Sequence, residues 1–183
     1  GCRQSLGLFL EPVSSFMGDG REFFSFAIGV QAIIWGCVTF FCGILIDKFG
    51  PQKVLAFGII SYALGIFLLS SPNSSFTFFS ATSLMGFGLG GAGMATIISI
   101  VGKVAPANKR SLTMGFAAAA GSFGQFAVVV PTMWMNEHLG WQTSLIILAT
   151  VTISLLILLP LLNEKNDQSN KNTSFGLGLK NTI

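Results

Sequence analysis

The chain has 183 residues, 51% of them hydrophobic and 9% charged, with a net charge of +3. A water-soluble domain of this length needs far more charge on its surface, so the composition excludes that class and points to a multi-span membrane protein. The single histidine and the three cysteines, Cys2, Cys37 and Cys42, have no metal-ligand spacing, and no nucleophile stands beside a base. No metal, no cofactor, no nucleic-acid partner and no enzymatic activity are therefore expected.

Six apolar runs follow in chain order, and the fold class expected is an all-α membrane bundle. Residues 1–16 read as a first span whose beginning is missing, ending near Glu11 and Pro12, with a polar turn over Gly18–Glu22. The second span covers about 23–46, and Gly29, Gly36 and Gly43 recur in it every seven residues, a stripe that permits close helix packing. The third covers about 54–69. After the uncharged turn Ser70–Ser75 comes the fourth, about 76–101, where Gly86 and Gly90 form a G-x-x-x-G pair. The fifth, about 112–134, is dense in small residues, including Gly121 and Gly124, each one helical turn after an alanine. The sixth covers about 141–162. Residues 164–183 are charged and Asn-rich without apolar period and read as a flexible linker. Each complete run is long enough for a hydrocarbon core of about 30 Å.

Basic residues fix the orientation. Lys48 and Lys53, then Lys103, Lys109 and Arg110, then Lys165, Lys171 and Lys180 fall in links that alternate to share one side, whereas Arg21 is the only Lys or Arg in the opposite links. By the positive-inside rule the basic side, and with it the tail, is cytoplasmic, in a plasma or inner membrane.

The link between the second and third spans reads G-I-L-I-D-K-F-G-P-Q-K-V over Gly43–Val54. It resembles the loop signature of the major facilitator superfamily, G-x-L-x-D-[RK]-x-G-x-[RK]-[RK], through Gly43, Leu45, Asp47, Lys48, Gly50 and Lys53, with Gln52 in place of one usual basic residue. The resemblance implies the first six-helix half of a twelve-helix transporter, with a second half to follow. It also implies that Asp47, with Lys48 and Lys53 beside it, forms a charged latch that biases a rocking equilibrium. The first segment, with Arg3, Ser5, Gly7 and Phe9 in an R-x-S-x-G-x-F pattern, looks like the monocarboxylate and oxalate–formate branch, as do G-S-F-G-Q in the fifth span and the later G-W-Q. The arginine that many members carry at the start of the fourth span is absent, against a drug–proton antiporter.

Arg3 precedes Pro12 by nine positions, roughly 14 Å along a helix, which places it near mid-membrane. A charge there faces a cavity or a partner. Either Arg3 binds an anionic substrate, with Gln4 or Ser5 adding a hydrogen bond, or it pairs with another helix. Gln31 and Gln125 either line the pathway or bond across helices. The function expected is secondary transport of a small organic anion, of monocarboxylate or dicarboxylate type, by alternating access. A carrier of another solute and a non-transporting membrane scaffold are the alternatives.

Overall fold

The computed structural model describes residues 5–17 and 21–160. Arg3, Gln4 and the tail 164–183 lie outside them. A 3-10 turn over Leu6–Phe9 leads into α1 (Leu10–Met17), and α2 follows over Arg21–Phe49. The next helices are α3 (Pro51–Leu69), α4 (Ser75–Ala92), α5 (Met94–Val104) and α6 (Arg110–Leu139). The last is α7 (Trp141–Ser154), ending in a 3-10 turn over Leu155–Leu158. Among the described residues, five helical stretches are long and apolar enough to cross a membrane: Glu22–Phe49, Pro51–Leu69, Ser75–Gly102, Arg110–Leu139 and Trp141–Leu158.

Two of the reversals between spans consist of a single glycine. Helix α2 runs to Phe49 and α3 starts at Pro51, so Gly50 alone reverses the chain, with φ 85° and ψ 155°. Gly140 does the same between α6 and α7, with φ 82° and ψ 158°. That corner of conformational space is essentially closed to residues with a Cβ. In both links the glycine carbonyl receives the first helical N–H of the next helix, from Val54 at 3.5 Å and from Ser144 at 3.1 Å. Pro51 fits the first helical position because its missing N–H has no partner to lose there. The two turns read G-P-Q and G-W-Q. They lie three spans apart. The α3–α4 link is capped differently: the Ser74 hydroxyl accepts from the Thr77 N–H at 3.2 Å.

Helix α4 is the centre of the bundle, and its glycines serve two faces. A Cβ on Gly86 would stand 2.8 Å from the Gln31 carbonyl oxygen of α2, and one on Gly90 would meet Val38 of the same helix. On the other face, a Cβ on Gly88 would lie 2.5 Å from the Tyr62 backbone nitrogen of α3. From the α3 side, Gly58 lies against Gly91 and Ala92, and Gly65 against Ala81 and Met85. Without Cβ atoms the backbones approach closely enough for dispersion to act along the helices, the main attraction available where lipid already solvates apolar side chains. The larger core joins Phe9 and Val13 of the first segment, Phe24 of α2, Ile66 of α3, Phe78 and Met85 of α4, and Leu145 of α7. A smaller core, with Cys42, Ile46, Val54, Leu55 and Ile100, closes the basic end.

The fourth span, read from sequence as one run, is two helices. At Gly93 the backbone is extended, with φ −74° and ψ 172°, and α5 starts afresh at Met94. Loss of the helical bond from the Met94 N–H leaves the Gly90 carbonyl to be satisfied otherwise. It accepts from the Cys42 thiol of α2 and from the Thr96 hydroxyl of α5, each at 2.9 Å. Side chains that re-satisfy a freed carbonyl are what make a helix break tolerable at membrane depth. Thr96→Val is expected to lower stability by about 1 kcal/mol, and Cys42→Ala by less, since a thiol is a weak donor. Thermal unfolding in detergent measures both. Cys42 is buried and Cys37 exposed, so a maleimide should modify Cys37 before Cys42 in the folded protein.

Candidate functional site

The described part of the first segment faces α2 across an open cavity of about 400 Å³, lined by Leu6, Gly7, Leu10, Phe24, Ser25, Ile28 and Gln31. The lining positions on α2 fall on one helical face, since 24, 28 and 31 are separated by four and three residues. Gln31 is 1% exposed, and its Nε2 has no hydrogen-bond partner. Ser5, immediately before Leu6, is fully buried, and its hydroxyl is likewise without a partner. Two enclosed polar groups therefore belong to residues on and beside a cavity whose lining is otherwise apolar apart from Ser25. Among the described residues no charged side chain lines it.

Of the residues read from sequence as substrate-binding candidates, Ser5 falls next to this cavity, whereas Arg3 and Gln4 lie outside the described residues. Gln125 is half-buried on α6 and does not line the cavity. Gln31, which the sequence left open between lining a pathway and bonding across helices, lines the cavity. Its neighbours Phe24 and Ile28 give the only sequence signal: an amide at the end of an otherwise apolar helical face.

The latch residues gather at the opposite end of α2. Asp47 and Lys48 occupy its last turn, Gly50 forms the turn, and Lys53 lies in the first turn of α3; all three charged side chains are exposed. Lys48 Nζ stands 5.3 Å from the ring centre of Phe49. A base in the last turn also complements the negative end of the helix dipole. Gln52, the departure from the loop signature, donates from Nε2 to the Leu159 carbonyl at 3.0 Å, tying the start of α3 to the end of the last span. Gly43 faces open space: nothing lies within 4 Å of where its Cβ would stand. The same holds for Gly29, Gly36 and Gly124, so among the described residues this stripe meets no neighbouring helix. By contrast Gly86, Gly90 and Gly121 pack tightly; a Cβ on Gly121 would stand 2.8 Å from the Met94 sulfur.

At the other end of the bundle, Asn136 Nδ2 donates to the Leu8 carbonyl at 3.4 Å and Phe16 meets Trp141 edge-to-face. Trp134 stacks on His138, whose Nδ1 lies 2.9 Å from the Trp134 carbonyl. No group of three or more His, Cys, Asp or Glu side chains among the described residues could hold a metal ion.

The arrangement is that of a glycine-packed membrane bundle with a charged turn at one end and a polar-floored cavity between its first two spans. The sequence model of the Major Facilitator Superfamily matches residues 3–181. The chain belongs to the major facilitator superfamily. It is similar to an uncharacterized MFS-type transporter, YcxA, of Bacillus subtilis, with 28% identity over 87% of this chain and 39% of that protein. It is also similar to the riboflavin transporter RibZ of Clostridioides difficile, at 30% identity over 69% of this chain and 29% of the relative. A third relative is the agnestins efflux protein AgnL12 of Paecilomyces divaricatus, at 29% identity over 70% of this chain and 28% of that protein. The matched stretch spans less than half the length of each of these relatives. No solved structure matches the chain. Membership makes this a multi-pass integral membrane chain of a transporter family, its spans surrounded by a lipid bilayer. Superfamily members are transporters rather than enzymes, which fits the absence of a nucleophile–base pair in the sequence.

Proposed function

We propose that this chain is the N-terminal six-helix half of a secondary transporter that moves a small organic anion by alternating access. The observation that carries the alternating-access part is the unfilled stripe on α2. Gly29, Gly36 and Gly43 keep a seven-residue register yet have nothing within 4 Å, while the glycines of α3 and α4 are tightly covered. A stripe of that kind suits a second bundle that approaches and withdraws. Asp47, Lys48 and Lys53, exposed at one end of that face, suit a latch that holds one access state. On this reading the basic end faces the cytoplasm, as the positive-inside rule requires, and the tail is a linker toward the second half.

The anionic character of the solute rests on Arg3, the one basic residue in the first apolar run, and on the likeness of that run to the monocarboxylate and oxalate–formate branch. A guanidinium offers a planar fork of donors that matches a carboxylate. The relatives, a riboflavin transporter and an efflux protein, favour a second reading in which the cargo is another organic solute.

The test is uptake of labelled lactate, oxalate and riboflavin into proteoliposomes holding the full natural chain. Arg3→Ala should raise KM for the transported carboxylate by roughly ten- to a hundredfold, the worth of a charge-assisted hydrogen bond, and Arg3→Lys should recover only part of it. Undiminished carboxylate uptake in both variants removes the anion reading, and absence of flux for all three solutes favours a scaffold.

A further inference from the structure

Thr39, Thr82, Thr132 and Thr152 each donate to the carbonyl four residues back in their own helix. Thr96 instead reaches six residues back, across the break at Gly93, to the Gly90 carbonyl. The Cys42 thiol of α2 donates to the same oxygen. In an unbroken helix that oxygen would receive the Met94 N–H, so two kinds of donor compete for one acceptor. The displaced donors would not be stranded. In a continuous helix Thr96 has a carbonyl four residues back at Ala92, and Cys42 has that of Val38. The Gly90 carbonyl is therefore satisfied with the span bent or straight, which brings the two forms close in free energy. One torsion separates them: Gly93 keeps a near-helical φ of −74°, and only its ψ, at 172°, departs from the helical value of about −42°.

We propose that the break at Gly93 is a two-state hinge in which the Gly90 carbonyl exchanges the Cys42 and Thr96 donors for the Met94 N–H. Cys42 and Thr96 are the positioning residues that hold the bent form. What turns with α5 follows from its contacts. A Cβ on Gly121 of α6 would stand 2.8 Å from the sulfur of Met94, at the start of α5. Near the other end of α5, a Cβ on Gly102 would stand 3.4 Å from the sulfur of Met114 of α6. The two helices lie together along α5 and swing as one piece. The fixed side is the glycine-packed pair α3 and α4, held next to the break by Gly91 against Gly58. Ile100, in the smaller core with Cys42 and Leu55, is the contact that the swing loosens. The hinge belongs to this bundle and is measured without any solute, so it stands or falls apart from the transport reading.

The experiment measures the distance distribution between spin labels at Phe57→Cys on α3 and Leu112→Cys on α6, both exposed positions. It uses the full natural chain in nanodiscs, with Cys2→Ser and Cys37→Ser removing competing thiols. Two populations are expected in the parent. Met94→Pro should leave the bent one alone: proline has no N–H to return to Gly90, suits a first helical position and biases the residue before it to extended backbone. Gly93→Ala should enrich the other, because in the bent form its Cβ would run into the Leu89 carbonyl oxygen. Thr96→Val should shift the ratio about fivefold toward the straight form, the worth of one net hydrogen bond, and Thr96→Ser should restore it. Cys42→Ser, which puts a stronger donor in the same place, should shift it toward the bent form. A single population in the parent that none of these variants moves overturns the hinge. So does a shift of Thr96→Val toward the Met94→Pro population, or a Cys42→Ser ratio equal to that of the parent.

Discussion

Gly88→Val is expected to keep α3 and α4 from closing on each other and to cause a large loss of stability. The argument is steric. A Cβ at position 88 would lie 2.5 Å from both the backbone nitrogen and the Cβ of Tyr62, and 2.7 Å from its Cα. Those atoms belong to the helix itself, so no side-chain rotation relieves the clash and the helices must separate. The separation would also lift Gly91 from Gly58 and Met85 from Gly65, because all of these contacts lie along one helix pair. Overpacking of this kind costs about 3 kcal/mol. For a chain of this length that lowers a thermal midpoint by roughly 6–12 °C. Gly29→Val is the control: it adds the same side chain to a helix where nothing stands within 4 Å. Thermal unfolding of both variants in the same detergent decides the matter; equal midpoints would show that α3 and α4 are not in the contact described.

Gly50→Ala is expected to lower stability by about 1–3 kcal/mol, through backbone strain rather than through packing. Space is not the obstacle, since a Cβ at position 50 meets nothing within 4 Å. The obstacle is the φ of 85° that reverses the chain in one residue between α2 and α3. Gly140→Ala, at φ 82°, should lose a similar amount for the same reason. Gly43→Ala, one turn and a half before the end of α2, lies in regular helix with open space around it and should not lose stability. If Gly43→Ala nevertheless loses solute flux in the full natural chain, the loss reports on the face it presents to another bundle. Chemical or thermal unfolding of the three variants separates strain from packing, and a Gly50→Ala protein as stable as the parent would contradict the turn.

The physical origin of these effects shows what a sequence can and cannot disclose. The turn at Gly50 was readable because charges cluster where the apolar runs stop, and because a glycine followed by proline leaves few other ways for a chain to reverse. The number and order of apolar spans were readable for the same reason: lipid forces a contrast in composition that water does not. The break at Gly93 was not readable, because the fourth span holds five glycines from Gly86 to Gly93 and any of them could continue a helix. What marks Gly93 is the Gly90 carbonyl, whose acceptance from Cys42 and Thr96 depends on a neighbouring helix distant in sequence.

The glycines carry a related lesson. Periodicity singled out Gly29, Gly36 and Gly43, and the described structure leaves them uncovered. The same seven-residue spacing separates Gly58 and Gly65, and those two hold α3 against α4. Period tells which residues share a face; it does not tell whether a partner lies on it. Gln31 was legible as a buried amide but not as a cavity residue, because the cavity is made jointly with Leu6, Gly7 and Leu10 of the preceding segment. Arg3 and Gln4 keep only their sequence argument.

Sided labelling in sealed vesicles tests the central claim most directly: that the spans cross one bilayer in succession, with Gly50 and Gly140 turning the chain at opposite faces. Single cysteines replace Lys53, Arg110 and His138 in the full natural chain, lacking Cys2 and Cys37, and meet a thiol reagent that cannot cross the membrane. Positions 53 and 110 should react from one face and position 138 only from the other; reaction of 53 and 110 from opposite faces would contradict the account.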